Sequence, residues 1–344
     1  MKVVIDDKIP YIKEAIEKIA DKVVYLPGTK FTPEVVKDAD ALIVRTRTHC
    51  NQQLLAGSSV KFIATATIGY DHIDTEYCKK AGIQWTNAPG CNSSSVAQYI
   101  HSTLLLLRNE KGITLEKACI GIVGVGNVGS KVKAVAESLG MRVLLNDPPR
   151  ADESKDTFCD LATIAQECDI ITFHTPLNRE GKYKTFHLAD EKFFNSLGKQ
   201  AVIINTSRGE VVETFALLQA LNENKIKEAV IDVWENEPDI NLSLLNSVFL
   251  GTPHIAGYSA DGKANATRMS LESLCRFFHL PQTFKISPPA PETFMLTASD
   301  ADEAYLKMYN PHHDSEALKS NPKEFETLRG NYPLRREKEA YQLK

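Results

Sequence analysis

An apolar run passes straight into a glycine-rich turn in Cys119-Ile120-Gly121-Ile122-Val123-Gly124-Val125-Gly126-Asn127-Val128-Gly129. The last six residues have the spacing GxGxxG, and a helical stretch follows over 130–139. An acidic residue, Asp147, stands about twenty residues further on, at the end of the next apolar run. Strand, glycine turn, helix and acid in this order are typical of a dinucleotide-binding βαβ unit.

Each glycine of the turn has a distinct physical task. Gly124 permits the tight turn, Gly126 lets the backbone approach a pyrophosphate, and Gly129 lets the helix lie close to the strand. The helix that starts near Asn127 and Val128 offers backbone N–H donors and a partial positive charge. We therefore predict that these five residues hold the pyrophosphate of a dinucleotide.

The acid after the second strand indicates which dinucleotide binds. Asp147 is placed to accept hydrogen bonds from both ribose hydroxyls of the adenosine, and it would repel the 2′-phosphate of NADP. Arg150 lies close enough in sequence to weaken that repulsion. The pattern favours NAD as the cofactor.

Apolar runs alternate with helical stretches on both sides of the turn. Four runs precede it (3–5, 23–26, 41–44 and 62–67), and five follow the first strand (142–145, 170–173, 202–205, 229–232 and 248–250). This alternation predicts an α/β fold with two doubly wound, Rossmann-like parallel-sheet domains around a cleft. An apolar helix over 94–108 is expected to be buried between domains or subunits, and a second helix over 262–278 leads the chain back to the first domain.

The domain boundaries follow from these elements. We expect residues 1–93 and 259–285 to form a substrate-binding domain and residues 94–258 to form the dinucleotide-binding domain. A linker with four prolines spans 281–291. The polar, helical tail, 286–344, is too short to bury a large core alone, so it should pack on another surface.

Composition excludes several classes of protein. The chain has 344 residues and a formal net charge of -4, which argues against a nucleic-acid partner. No apolar run approaches the ~20 residues of a membrane span, and the N-terminus lacks a signal-peptide pattern. The seven cysteines are scattered without a CxxC pair, so we expect reduced thiols, no metal site and a cytoplasmic location.

Three polar segments follow the last strands of the second region. They are Asn205-Thr206-Ser207-Arg208-Gly209, Asp232-Val233-Trp234-Glu235-Asn236-Glu237-Pro238 and Gly251-Thr252-Pro253-His254-Ile255-Ala256-Gly257. Open α/β sheets bind ligands at the carboxyl ends of their strands. We therefore take Arg208, Glu237 and His254 together as a candidate catalytic set, although each alone has an ordinary structural or surface role.

Oxidation of an alcohol by NAD removes a hydride from carbon and a proton from the hydroxyl group. His254 is the natural base, because an imidazole titrates near neutral pH. Glu237 would fix its tautomer and stabilise the imidazolium, and Arg208 would grip a substrate carboxylate and polarise the forming carbonyl.

These motifs resemble those of the D-isomer-specific 2-hydroxyacid dehydrogenases over about residues 1 to 285. The resemblance implies the same roles for Arg208, Glu237 and His254. It also implies NAD contacts at Thr175 (in His174-Thr175-Pro176-Leu177), Asp232 and Gly257.

A narrower resemblance is to the erythronate-4-phosphate dehydrogenases within that family. It is carried by 146–150, by 172–177, by the ending His254-Ile255-Ala256-Gly257-Tyr258 and, most diagnostically, by the tail 325–337. It implies oxidation of 4-phospho-D-erythronate at C2 to 2-oxo-3-hydroxy-4-phosphobutanoate, in pyridoxal phosphate (vitamin B6) biosynthesis. It further implies a small α+β dimerisation domain at 286–344, and therefore a homodimer.

A phosphorylated substrate requires cations and hydroxyl groups from the first domain. Arg45-Thr46-Arg47-Thr48 leaves a strand end and offers both, and backbone N–H groups around Gly69 are further candidates for an anionic end of the substrate. The resemblance marks Thr46, Thr67 and Tyr258 as substrate contacts. Alternatively, Arg45 and Arg47 are solvated loop cations.

Two other functions stay open at this point. One is the same chemistry on another D-2-hydroxy acid, such as D-3-phosphoglycerate. The other is a non-enzymatic NADH sensor built on this fold, against which the intact set Arg208, Glu237 and His254 argues.

Overall fold

The structure is a computed structural model that describes residues 1–153 and 157–344. The chain divides into two compact units. The first unit comprises residues 1–92 and 259–290, and the second unit comprises residues 93–258 and 291–344. Residues 291–344, called the C-terminal segment below, thus group with the second sheet.

The first unit is built on a five-stranded parallel sheet with the order β2-β1-β3-β4-β5. The bounds are β1 Lys2–Asp6, β2 Lys22–Leu26, β3 Ala41–Val44, β4 Phe62–Thr65 and β5 Gln84–Thr86. The central strands are buried on both faces, as expected of a parallel sheet covered by helices. Strand β5 was absent from the sequence prediction, because three residues with one exposed side chain show no apolar run.

The second unit contains a six-stranded parallel sheet with the order β11-β10-β9-β8-β6-β7. The bounds are β6 Cys119–Val123, β7 Arg142–Asn146, β8 Ile170–Phe173, β9 Val202–Asn205, β10 Glu228–Ile231 and β11 Leu250–Gly251. All six strands lie at the predicted positions, within two residues at each end. The C-terminal segment adds a small parallel pair, β12 Met295–Leu296 and β13 Gln342–Leu343.

Helices connect the strands of both sheets. Their bounds are α1 Lys13–Ile16, α2 Pro33–Val36, α3 Gln52–Leu55, α4 Thr75–Ala81, α5 Ser93–Lys111, α6 Asn127–Ser138, α7 Pro148–Glu153, α8 Leu161–Glu167, α9 Glu191–Asn195, α10 Thr214–Asn222, α11 Leu242–Ser247, α12 Ala260–Phe278, α13 Ala301–Met308, α14 Pro311–Ser320 and α15 Phe325–Gly330. The architecture confirms the predicted α/β class with two Rossmann-like parallel sheets and a small C-terminal α+β part.

Helix α5 is buried almost all round, as its composition predicts. Within the second unit it packs against α6, α13 and α14. Its polar side chains bond to the C-terminal segment: Ser95 Oγ donates to Glu337 Oε1 at 2.8 Å, and Ser102 Oγ donates to the Tyr309 carbonyl at 2.8 Å. The C-terminal segment therefore provides part of the surface that buries α5.

The C-terminal segment also joins the core beneath the second sheet. Leu318 and Phe325 are fully buried in the same apolar cluster as residues of β8, β9 and β10. Arg335 is buried as well, donating from Nε to Gln98 Oε1 at 3.0 Å and from Nη2 to the Ser95 carbonyl. None of the described helices has the length and apolarity needed to cross a lipid bilayer.

Candidate active site

The glycine turn begins directly after β6 and runs into α6. Gly124 adopts a φ of 90°, and a Cβ at this position would lie 2.7 Å from the His174 carbonyl oxygen. A Cβ on Gly129 would lie 2.0 Å from the Gly124 carbonyl oxygen, so only glycine permits α6 to approach the turn this closely. At Gly126, by contrast, a Cβ would meet no described atom within 4 Å.

The acid after β7 lies beside this turn. Asp147 accepts hydrogen bonds from Val125 N through Oδ2 at 2.8 Å and from Arg150 N through Oδ1 at 3.2 Å. The Arg150 guanidinium donates back to the Val125 carbonyl oxygen. The structure thus brings together the turn, the acid and the arginine that the sequence identified.

Two observations test whether this end of the sheet fits a dinucleotide. Open space faces Gly126, where a pyrophosphate would approach the backbone. The Thr175 hydroxyl is buried and has no hydrogen-bond partner among the described residues. A buried donor left unbonded is costly in free energy, so a cofactor atom that accepts this bond fits the site.

The three catalytic candidates all belong to the second unit and follow successive strands β9, β10 and β11. Glu237 Oε2 lies 2.8 Å from His254 Nδ1, and Glu237 Oε1 accepts from Trp234 N at 2.9 Å. Arg208 is half-buried, and its Nη1 donates to the Ser207 carbonyl at 2.8 Å. The carboxylate is therefore held from two sides, with the imidazole Nε2 left on the other side of the ring.

The turn that carries Arg208 packs directly on the turn that carries Glu237. A Cβ added to Gly209 would lie 2.0 Å from the Trp234 carbonyl carbon. No side chain larger than hydrogen is possible there without separating the two turns. The close packing thus joins the Arg208-Gly209 turn to the turn that carries Trp234 and Glu237.

The charge state of Glu237 suits a role as a carboxylate. Burial raises its pKa, but the hydrogen bond and positive charge of His254 and the bond from Trp234 N outweigh burial, and the pKa lies below its usual value. Glu237 is therefore ionised at neutral pH.

Asp232 is fully enclosed and holds the loop that carries His254. Its Oδ1 accepts from Thr252 Oγ1 at 2.7 Å and from Ile255 N at 2.8 Å, and its Oδ2 accepts from Ala256 N at 3.0 Å. Burial raises the pKa of Asp232, and these donors partly offset the effect. In this structure Asp232 holds the loop that carries His254, a role that its sequence motif alone did not reveal.

The remaining cofactor and substrate candidates have these positions. Gly257 and Tyr258 follow the His254 loop in the second unit, and the Tyr258 ring meets the Tyr332 ring edge-on with centroids 6.0 Å apart. Tyr332 belongs to the C-terminal segment. Sequence reasoning had not linked this segment to the catalytic loop, because no local pattern connects residues so far apart.

The substrate candidates of the first unit lie on two loops. Arg45 Nη1 donates to the Lys8 carbonyl at 3.2 Å, and Thr46 is exposed beside it. The Thr67 hydroxyl donates to the Gly69 carbonyl at 2.8 Å and lies 2.7 Å from Thr65 Oγ1. These bonds order the loop after β4.

A cation that sequence reasoning missed stands near Arg45. Burial and the positive charge of Arg45 lower the pKa of Lys263 on α12. Two cations of one unit whose charges act on each other favour an anionic ligand. Among the described residues there is no group of three or more His, Cys, Asp or Glu side chains suited to a metal ion.

Comparison with known proteins agrees with the motifs. Residues 98–256 match the family described as D-isomer specific 2-hydroxyacid dehydrogenase, NAD binding domain. A solved D-lactate dehydrogenase from Aquifex aeolicus, complexed with NAD and lactic acid, is 26% identical with a TM-score of 0.66 and covers 84% of this chain and 100% of its own. The NAD⁺-bound 3-phosphoglycerate dehydrogenase of Entamoeba histolytica is 27% identical with a TM-score of 0.67, over 83% of this chain and 98% of its own.

Curated relatives match over nearly the whole chain. Erythronate-4-phosphate dehydrogenase of Bacteroides thetaiotaomicron is 67% identical over 100% of this chain and 99% of its own length. The enzymes of that name from Porphyromonas gingivalis and Escherichia coli O81 are 42% and 44% identical, over 99% and 98% of this chain and 95% and 92% of theirs.

Fold, glycine turn and family match thus define a protein of the D-isomer-specific 2-hydroxyacid dehydrogenase class, with an NAD-binding domain in its second unit. Within that class the chain belongs to the erythronate-4-phosphate dehydrogenase family. The family match confirms NAD as the dinucleotide predicted from Gly124, Gly126, Gly129 and Asp147.

Proposed function

We propose that the protein catalyses the NAD-dependent oxidation of 4-phospho-D-erythronate at C2 to 2-oxo-3-hydroxy-4-phosphobutanoate, a step of pyridoxal 5′-phosphate biosynthesis. The observation that carries the chemistry is the 2.8 Å bond between His254 Nδ1 and Glu237 Oε2, in the unit that holds the dinucleotide fingerprint. The relatives named above support the choice of substrate.

His254 is the base in this proposal. Its Nε2, the nitrogen that does not face Glu237, takes the proton of the C2 hydroxyl group, and the ionised Glu237 stabilises the resulting imidazolium. NAD, when bound, accepts the hydride from C2. Arg208 binds the C1 carboxylate through its forked N–H groups and favours the carbonyl that forms at C2.

The cofactor contacts follow the fingerprint. Gly124, Gly126, Asn127, Val128 and Gly129 present the turn and the start of α6 to the pyrophosphate. Asp147 binds the adenosine ribose, and Thr175, Asp232 and Gly257 complete the set toward the nicotinamide. Asp232 acts there through the loop that its carboxylate organises.

The remaining substrate contacts are assigned separately within each unit. Arg45 and Thr46 bind the phosphate, with the neighbouring charge of Lys263 as support. Thr67 and Tyr258 are assigned as further substrate contacts because they occupy the family's motif positions. In this proposal residues 1–93 with 259–285 are the substrate-binding domain, and residues 94–258, which also carry Arg208 and Tyr258, are the NAD-binding domain.

The C-terminal residues, 286–344, are proposed to form a homodimer. Of the seven large apolar side chains that are exposed among the described residues, four lie in the C-terminal segment: Phe294, Met295, Leu334 and Leu343. Exposed apolar side chains concentrated in one segment favour an interface. We expect a sedimentation mass of twice 38.2 kDa, and a shift to a single chain in the double variant Phe294→Asp/Leu343→Asp but not in Leu242→Asp.

A cytoplasmic location is proposed from the cysteines. All seven are free thiols, and six of them are buried. Reduced thiols are typical of reducing compartments. Fractionation of the producing cell would test this.

The decisive experiment is NAD reduction measured side by side with 4-phospho-D-erythronate, D-3-phosphoglycerate and D-lactate. We expect the largest kcat/KM for 4-phospho-D-erythronate. A larger kcat/KM for D-3-phosphoglycerate would assign the same chemistry to a different 2-hydroxy acid. No reduction with any of the three would reject the proposed reaction.

A further inference from the structure

Arg329 lies in α15 of the C-terminal segment and reaches the catalytic loop of the same unit. Its guanidinium carbon stands 5.5 Å from the centroid of the Tyr258 ring, four residues after His254. Its charge also helps to lower the pKa of Glu237, after the larger effects of burial and of His254. Arg329 is thus a positive charge beside the proposed proton-transfer pair.

The hydrogen-bonding capacity of this arginine is incompletely used. Arg329 Nε is buried and has no hydrogen-bond partner among the described residues. The Nη1 atom lies 4.0 Å from Glu326 Oε1, the outer limit of an ion pair between partly exposed groups. A buried guanidinium N–H without an acceptor is unfavourable in free energy, so the site suits an incoming acceptor.

A second arginine of the same segment shows the contrast. Arg335 is buried, and each of its three nitrogen atoms donates to a protein acceptor: Nε to Gln98 Oε1 at 3.0 Å, Nη1 to the Ile255 carbonyl at 3.3 Å, and Nη2 to the Ser95 carbonyl. Arg335 therefore anchors the segment. Arg329, in contrast, makes no hydrogen bond to a described residue through its Nε.

A phosphorylated 2-hydroxy acid carries two anionic ends, one on each side of the reacting C2. The proposed role of Arg208 accounts for the carboxylate. The phosphate, for which Arg45 and Thr46 are proposed contacts, has three terminal oxygens and can accept hydrogen bonds from a further arginine. A phosphate dianion accepts two parallel bonds from the Nε and Nη groups of a guanidinium. The cation–π contact with the Tyr258 ring helps to hold the guanidinium near the loop that carries His254.

We propose that Arg329 is a substrate-binding residue that contacts the phosphate group and confers specificity for phosphorylated 2-hydroxy acids. This inference rests on the proposed oxidation of a phosphorylated substrate. It assigns to the C-terminal segment a part in catalysis besides its proposed part in assembly.

The test compares Arg329→Ala and Arg329→Lys with Lys323→Ala, which removes an exposed positive charge from the same segment. We expect Arg329→Ala to raise the KM for 4-phospho-D-erythronate roughly tenfold or more, with a smaller change in kcat. Arg329→Lys should recover part of the loss, because an ammonium keeps the charge but not the fork. Lys323→Ala should match the wild type.

Two inhibitors separate the phosphate from the rest of the substrate. For Arg329→Ala we expect the inhibition constant of inorganic phosphate to rise roughly tenfold, and that of unphosphorylated D-erythronate to change less than about twofold. Equal weakening of both would mean that Arg329 does not distinguish a phosphate from a carboxylate, or that it acts through Glu237, and would overturn the proposal. Unchanged constants would also overturn it.

Failure of the inference differs from failure of the proposed function. If the wild type does not oxidise 4-phospho-D-erythronate, the function fails, and inorganic phosphate still tests Arg329 as an inhibitor of whichever 2-hydroxy acid is oxidised. If the wild type does oxidise it and Arg329→Ala retains its KM, only the inference fails. Unchanged NADH affinity and Tm would exclude misfolding as the cause of a loss.

Discussion

His254 has a left-handed backbone, with a φ of 57°, which non-glycine residues seldom adopt. The structure holds it there through the bond from His254 N to the Asp232 carbonyl at 2.7 Å and through the bonds that the Asp232 carboxylate accepts from the next two amides. This arrangement holds the backbone of His254 in place. For the proposed base, such pre-ordering lowers the reorganisation needed for proton transfer.

Replacement of the base should affect the chemical step alone. We expect His254→Ala to lower kcat by about 10²–10⁴-fold, the usual contribution of a positioned general base, with unchanged NADH affinity. The matched control is His279→Ala, which makes the same change at a φ of 55° on an exposed residue. Initial rates at saturating cofactor measure the effect, and a kcat within twofold of the wild type would show that another group is the base.

His174, beside the glycine turn, predicts a pH effect on stability. Burial lowers its pKa to about 3, and its ring nitrogens lie 2.9 Å from Thr172 Oγ1 and 3.2 Å from Thr206 Oγ1. Below about pH 6.5 the His174 imidazole binds a proton in the unfolded chain but stays neutral in the folded chain. The free energy of unfolding therefore falls as the pH falls toward 3, by at most about 1.4 kcal/mol per pH unit.

Urea unfolding at pH 7, 6 and 5 measures this dependence. The variant His174→Asn removes the titrating ring and should show a shallower decline over the same range. If the wild type and the variant lose stability in parallel, other groups are responsible for the acid sensitivity.

At the scale of elements, the turn between β6 and α6 needs glycine at two positions for different reasons. One position is constrained by packing, and the other by access for a ligand. Gly129 is required by packing, since a Cβ there would collide with the Gly124 carbonyl oxygen. Gly126 has space for a Cβ, so packing does not require a glycine there. Its lack of a side chain suits the proposed approach of the pyrophosphate. One motif therefore mixes a folding requirement with a binding requirement.

A pair of substitutions separates them. Gly126→Ala should keep the Tm of the wild type and raise the KM for NAD about tenfold or more, because the methyl group occupies space meant for the pyrophosphate. Gly129→Ala should lower the Tm, because the helix must move away from the strand. Thermal melting and NAD titration of both variants give the answer, and equal loss of stability in the two would contradict this division.

At the scale of the whole molecule, the C-terminal segment contributes to the core of the second unit. Phe325 and Leu318 are fully buried against the residues that cover the six-stranded sheet, and Arg335 bonds to the carbonyl of Ile255 next to the proposed base. The segment therefore supports both the stability of the unit and the shape of the loop that carries His254.

Removal of one large side chain tests this support. We expect Phe325→Ala to lower the free energy of unfolding by about 3–5 kcal/mol, the usual cost of deleting a buried phenylalanine side chain. Phe215→Ala serves as the control, because Phe215 is 72% exposed and should change the free energy by less than about 0.5 kcal/mol. Denaturant unfolding measures both, and similar values would show that the segment adds little to the core.

Local patterns in the sequence were sufficient to predict the class of protein. Runs of apolar residues mark ten of the eleven strands in the two large sheets, because a strand buried on both faces must be apolar along its length. The glycine turn, Asp147 and the order Arg208, Glu237, His254 are equally visible, since each depends on residue type at the end of a strand. Strand β5 was missed because three residues with an exposed member carry no such pattern.

Tertiary structure alone decided which distant side chains meet. The Asp232 carboxylate turns inward to hold the His254 loop, and Arg329 reaches Tyr258 from the far end of the chain. Neither contact leaves a periodic trace in the sequence, because periodicity reports only which face of an element is buried. The partner that buries it is chosen by the packing of the whole unit, so the contact between the C-terminal segment and Tyr258 became apparent only in the folded chain.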